Sequence, residues 1–460
     1  MHAMIRWCLA LLASLLCAET LAPNGQEISS RIIEAAMADT AGYEKLTYLC
    51  DRIGSRPAGS PNMEKAVLWA AEHMKRDGLV NIVTQPVKVL RWIRGSESAS
   101  LLEPVNRPLT ILGLGGSVGT PRGGITAEVL IVHSFEELQN LGTAAVKGKI
   151  VLWNVPWDGY ARSVVYRQHG ASRAAKLGAV AALVRSITPN SLQTPHTGAM
   201  EYAGDARRIP AAAITVEDAL LIQRLKDAGN QRVVVRLEME AHNQPPVESA
   251  NVWAEIPGRE KPREVVVIGG HLDSWDVGQG AQDDGAGCVT MLQAAAILKH
   301  LGLQPRRTIR VIFWTDEERG FSGAIAYRRS IGDKIQDHVA AIEMDEGAER
   351  PIGFGFGAMG DSAPARARLQ DIGRLLEKID AGGIFPGGGG ADIAPLMQDG
   401  VPGLSIRTSS QHYFEWHHSR ADTIDKVDID DLRRNIAAVA VMAYMLAEMP
   451  EPLNSTAGTR

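Results

Sequence analysis

The stretch VVVIGGHLDSWDVGQGAQDDGAG, residues 265–287, decides how this chain folds. Val265 to Ile268 is a short apolar run of β-branched residues, the kind that a sheet covered on both faces buries. Gly269 and Gly270 close it, and His271 stands at its carboxyl end. Asp283-Asp284-Gly285-Ala286-Gly287 follows as a helix opening, with acidic residues where the helix dipole favours them, and predicts a helix from Ala286 to His300.

The pattern repeats downstream. Ile309 to Phe313 reads as a strand followed by Trp314-Thr315-Asp316-Glu317-Glu318, and Val339 to Met344 as a strand followed by Asp345. A helix is predicted between them, near Gly323 to Arg329. Strands alternating with helices predict an α/β fold, a mainly parallel mixed sheet flanked by helices. In such sheets ligands bind outside the carboxyl ends of the strands, where His271, Glu317, Glu318 and Asp345 all fall. The last long helix, Asp431 to Met449, has an apolar face and reads as core packing.

Upstream the texture differs. Arg31 to Ala38 and Asn62 to Gly78 carry apolar residues at helical spacing, separated by a Gly- and Pro-rich connector at Asp51 to Pro61. Residues 115–240 are rich in Ala, Val and Gly, with strands expected at Gly148 to Trp153, Ile209 to Thr215 and Val233 to Leu237. They hold no cluster of ligand residues, so they read as a module inserted between a first part, 23–114, and a second, 241–460.

Composition excludes little. The 460 residues are 45% hydrophobic and 22% charged, ordinary values for a globular protein. A net charge of -5 and a pI near 6.2 give no reason to expect a nucleic-acid partner. Residues 1–22 read as an export signal: Arg6 precedes an apolar stretch, Trp7 to Cys17, too short to span a bilayer, with cleavage expected after Ala18 or Ala22. That predicts a secreted or periplasmic protein, free of the membrane once the signal is removed. The rival readings are a retained anchor or acylation at Cys17, which Leu16 disfavours. Cys50 and Cys288 remain in the mature chain, either as one disulfide or as two buried thiols.

Taken singly, each strand-end acid or histidine has an ordinary reading, as a core histidine, a helix cap or a solvated loop. Together, two histidines and three carboxylates are what a pair of Zn²⁺ ions needs when one carboxylate bridges them. Asp273, two residues past His271, is placed to hold the other imidazole nitrogen through its carboxylate or carbonyl. Neighbouring side chains diverge, so one of Glu317 and Glu318 can ligate while the other faces a substrate.

The segments HLDSWDVGQGAQDDGAG, WTDEERG, EMDEG and HHSRADT resemble the co-catalytic zinc exopeptidases of the aminopeptidase clan, and more narrowly the carboxypeptidase Q (plasma glutamate carboxypeptidase) family. The likeness covers nearly the whole mature chain and includes TPHTGAMEYAGDARRIPAAAITVEDA, which resembles that family's inserted protease-associated domain. The resemblance implies two Zn²⁺ per chain, with His271 and Asp345 on one, Glu318 and His418 on the other, and Asp283 bridging. It chooses Asp283 over Asp284, and it implies Glu317 as the general base for a water activated between the ions. It places His417 where the wider clan often has an oxyanion-steadying tyrosine, and Asp392 at the usual acidic position of the Gly-rich loop GGGGADIAPLMQDGVP. His196, in the loop Thr194 to Gly198, is its candidate for a contact with bound peptide. The implied activity is hydrolysis of dipeptides or terminal bonds of short unblocked peptides, by a homodimer. A catalytically silent receptor-like protein and a single-zinc glutaminyl cyclase are the alternatives; the full ligand set disfavours both.

Overall fold

The computed structural model describes residues 24–453, apart from 191, 230–231 and 359–362. The expected export signal lies outside the described residues. Among the described residues no helix is long and apolar enough to cross a membrane.

A first eight-stranded sheet runs in the order Val80–Val89, Val247–Ile256, Arg307–Trp314, Lys261–His271, His338–Glu343, Gly403–Thr408, Pro351–Gly357, Gly383–Pro386. Its four central strands, from Arg307–Trp314 to Gly403–Thr408, are parallel, and antiparallel pairings flank them. The apolar run at Val265 shows why the centre is covered twice. Val266 and Ile268 enter the core beneath the helices Gly25–Met37, Ala286–His300 and Ile429–Glu448. Val265 and Val267 enter a second core on the opposite face, with Ala324, Tyr327 and Ile331 of the helix Ser322–Ile331. Full burial of such side chains contributes roughly 1.5–3 kcal/mol each, so both faces need a helix layer.

A second eight-stranded sheet runs in the order Arg107–Leu109, Glu97–Glu103, Val234–Met239, Ile125–Val132, Ile150–Trp153, Ala181–Arg185, Ala211–Ile214, Ile111–Gly113. Three of its strands precede residue 115, so the sheet begins earlier than the sequence reading placed it. Glu97–Glu103 pairs antiparallel with Val234–Met239 and buries Ala99 and Leu101, a tertiary pairing that its mixed sequence ESASLLE does not announce. The insertion point is explicit in the register. Val89 pairs with Val247 across the first sheet, and the ribbon continues as Trp92–Ile93 against His242–Asn243. Everything between is one excursion from the tip of a hairpin.

Trp275, in the loop after His271, locks the two units together. It is buried in the core of the second sheet, and a Cβ at Gly115 would lie 2.0 Å from its ring. Arg94 and Asp276 add an ion pair at 2.6 Å alongside. Cys50 and Cys288 are both buried and free, which resolves the two readings in favour of thiols; Cys288 donates to the His271 carbonyl at 3.1 Å.

Candidate metal centre

His271 closes the strand Lys261–His271, and its orientation is fixed from two sides. Its backbone N–H donates to Asp284 Oδ2 at 3.1 Å, while its Nδ1–H donates to the Asp273 carbonyl at 2.9 Å. Asp273 therefore holds the ring through its carbonyl and not its carboxylate, which accepts the Glu317 N–H at 3.2 Å and so orients the acidic loop. Nε2 of His271 is then left facing Asp345 Oδ1 at 3.0 Å and Asp283 Oδ1 at 3.1 Å.

Asp283 turns its other oxygen to a second histidine: Oδ2 lies 3.2 Å from His418 Nε2, and His418 Nε2 lies 3.1 Å from Glu318 Oε2. The Asp422 carboxylate sets this position by accepting the backbone N–H groups of Ala281, Gln282 and Asp283 at 3.1, 2.7 and 3.2 Å. Asp284, the neighbouring candidate, is occupied with backbone: besides His271 it accepts the Gly287 N–H at 3.1 Å, as a helix cap does. Two groups result, His271–Asp283–Asp345 and Asp283–His417–His418, each with its ligand atoms within 4.8 Å of one another.

Their chemistry fits cations. With Nδ1 of His271 committed as a donor, the Nε2 lone pair meets two carboxylate oxygens, which a proton or a metal ion reconciles. Asp283 Oδ2 and Glu318 Oε1 are buried and accept no hydrogen bond, a costly arrangement for acids that hold no cation. Burial opposes charge on His418, but the neighbouring Glu318 and Asp283 carboxylates override it and push its pKa up to about 10. Burial would raise Asp283, yet His271 and His418 hold it well below the usual carboxylate range.

His417 is adjacent to this site and differs from His418. Its Nε2 lies 3.7 Å from Asp283 Oδ2, its ring stacks on that of His418 with centroids 3.5 Å apart, and burial drives its pKa well down. Glu317 is half-buried at the cleft, and its carboxylate makes no hydrogen bond among the described residues. Burial, with the acids Asp345, Glu318 and Asp392 around it, pushes its pKa well up despite His271. Asp392 is buried with neither carboxylate oxygen hydrogen-bonded. Glu343, unmarked in the sequence reading, accepts the Asp392 and Ile393 N–H groups at 3.3 and 2.8 Å and so fixes the Gly-rich loop.

His196 does not reach the cleft. It is buried behind His417, with Nδ1 donating to the His417 carbonyl at 2.6 Å, and burial pulls its pKa down to about 4. The residues of the second unit that line the cleft are Tyr160, Val164, Arg167, Gln168 and Ala199, which sequence reasoning missed. Tyr160 and Arg167 sit on the helix Tyr160–Lys176, and nothing in their local sequence separates them from other helix-surface residues. The cleft has a volume of about 390 Å³, within the range of small-ligand sites.

An α/β sheet gathering histidines and carboxylates around one shared aspartate at its strand ends, beneath a covering second unit, defines a metallopeptidase. The comparisons are specific. Residues 251–443 match the model of peptidase family M28. Carboxypeptidase Q of Mus musculus is 43% identical over 433 residues, 94% of this chain and 91% of that one, and the Homo sapiens protein is 42% identical over 430 residues, 93% and 90%. Among solved structures, a peptidase M28 precursor from Shewanella amazonensis SB2B superposes with a TM-score of 0.89 at 32% identity, covering 95% of this chain and 99% of that one. A zinc aminopeptidase from Bacillus subtilis shares the fold, with a TM-score of 0.65 at 21% identity over 88% of this chain and 93% of its own. The chain belongs to peptidase family M28, in the carboxypeptidase Q group.

Proposed function

We propose that this chain is an exported dizinc exopeptidase that hydrolyses dipeptides or the terminal bonds of short peptides. The observation that carries it is Asp283, whose two oxygens each face a different histidine, His271 at 3.1 Å and His418 at 3.2 Å. His271 and Asp345 would hold one ion, and His418 and Glu318 the other. Glu318 is preferred to His417 because its Oε2 lies 3.1 Å from His418 Nε2 and supplies negative charge, whereas a second neutral imidazole would leave a divalent ion under-compensated.

Bound zinc would polarise the scissile carbonyl and lower the pKa of a water from 15.7 toward about 7. Glu317 then takes a proton from the attacking water and returns it to the nitrogen of the leaving amine. Its place at the cleft beside the ligand carboxylates, with no hydrogen bond of its own to break, suits both halves of that exchange. The second unit, a protease-associated domain in this proposal, contributes Tyr160 and Arg167 to the cleft, whose volume of about 390 Å³ suits a short peptide. A silent, receptor-like protein would be expected to lack a donor; none is missing.

Glu317→Gln keeps the shape and removes the basic oxygen. Turnover of dipeptides should fall at least roughly a hundredfold, with zinc content unchanged. Full activity in that variant, or loss of its metal, overturns the assignment.

A further inference from the structure

We infer that Arg167, contributed by the second unit, is the group that holds the free α-carboxylate of the unblocked peptides this family is expected to take. The inference rests on the peptidase reading above and adds to it a recognition group contributed by the second unit.

Arg167 is buried, at 5% exposure, yet it has no carboxylate partner among the described residues. Its contacts are neutral. Nε donates to the Ala199 carbonyl at 3.3 Å, Nη1 to the Thr197 carbonyl at 3.2 Å, and Nη2 to the Tyr160 hydroxyl at 2.9 Å. Nη1 also lies 3.3 Å from His418 Nδ1, whose own partner is the same Thr197 carbonyl at 3.3 Å. A guanidinium has five N–H groups, so at least one on Nη2 remains unused. A buried cation without an anion is costly, and an arriving carboxylate would relieve that cost.

The surroundings indicate which anion. Asp283, Glu317, Glu318, Glu343, Asp345 and Glu346 all line the cleft, and among its described lining residues Arg167 is the only arginine or lysine. Glu346 is already paired with Arg407 at 2.5 Å. A substrate carboxylate entering this acidic cleft therefore has one cationic side chain to meet.

Position agrees with charge. Arg167 touches the outer edge of the His418 ring, and one residue of peptide spans about 3.8 Å, so a carboxylate one residue beyond the bond under attack falls within its reach. The guanidinium is also held in place. It lies over the Tyr160 ring, 5.6 Å from its centre, and a Cβ at Gly198, where φ is 137°, would come within 2.2 Å of it.

The test compares alanyl-leucine with its C-terminal amide on the zinc-loaded protein. Wild type should favour the acid by roughly ten- to hundredfold in kcat/KM, the range of a charge-assisted pair. Arg167→Gln should lose that factor on the acid alone, mainly through KM, and Arg167→Lys should recover part of it. Equal hydrolysis of acid and amide by wild type, or equal losses on both in Arg167→Gln, overturns the inference and leaves Arg167 a structural brace. If neither substrate is cleaved, the peptidase reading fails. Calorimetric titration with leucine and leucinamide then decides the anchor independently: tighter binding of leucine, abolished in Arg167→Gln, supports it, and equal binding refutes it.

Discussion

In the first sheet the parallel strands run out into His271, Glu317 with Glu318, and Asp345; in the second they run out into Ser134, Asn154, Ser186 and Thr215. Both sheets have a parallel core with helices packed against it, and their strand ends are geometrically equivalent places. The polar side chains of the second sheet are consumed by the chain itself. Ser134 accepts the Glu137 N–H at 3.0 Å and Thr215 the Asp218 N–H at 3.1 Å, each capping a helix, while Ser186 donates to the Ile214 carbonyl at 2.8 Å. In the first sheet that backbone work passes to Asp284, Asp422 and Glu343, which frees Asp283, Glu318 and Asp345 to face one another across a cleft. A strand end becomes a site when neighbouring residues satisfy the backbone on its behalf.

The same contrast holds between two histidines of the first sheet. His338 begins its strand at the far end from the cleft, and both ring nitrogens meet neutral partners: Nδ1 donates to the Lys334 carbonyl at 2.9 Å and Nε2 accepts from Tyr327 at 2.9 Å. Burial lowers its pKa to about 4, where carboxylates raise that of His418 to about 10.

The largest effect expected outside the cleft follows from His338. Its folded pKa, about 4, lies below the 6.5 of a free imidazole, so its contribution to stability is complete above pH 6.5 and is lost as pH falls through 4. Unfolding by urea should show a loss of roughly 3 kcal/mol across that window from this residue. His338→Gln should flatten the slope by that amount; an unchanged slope would mean that the histidine is not held neutral.

A smaller effect tests the second sheet. Ser134→Ala removes the cap of the helix Phe135–Val146 and should cost about 1 kcal/mol of stability with no change in kcat/KM. A loss of activity with stability preserved would show that its strand ends communicate with the cleft after all.

What was legible in the sequence follows the same division. The strand-end positions of His271, Glu317, Glu318 and Asp345 were readable because an apolar run followed by ligand-type residues is a local pattern. The backbone work of Asp422 and Glu343 was not, because their partners lie 139–141 and 49–50 residues away. Asp273 is legible as the neighbour of His271, and of the carboxylate and carbonyl open to it the carbonyl makes the bond. His196 was expected to meet bound peptide and instead braces His417 from behind, a difference of side-chain direction that a loop sequence does not encode. The early edge of the second sheet escaped notice because Glu97–Glu103 becomes a strand only by pairing with Val234–Met239.

If Asp283 joins two metal ions in one site, the zinc content per chain shows it. Elemental analysis of zinc-replete protein, dialysed free of excess metal, should give about two zinc ions per chain in wild type, and Asp283→Asn should lose at least one of them. One ion or none in wild type, or full retention of both in Asp283→Asn, would contradict the account.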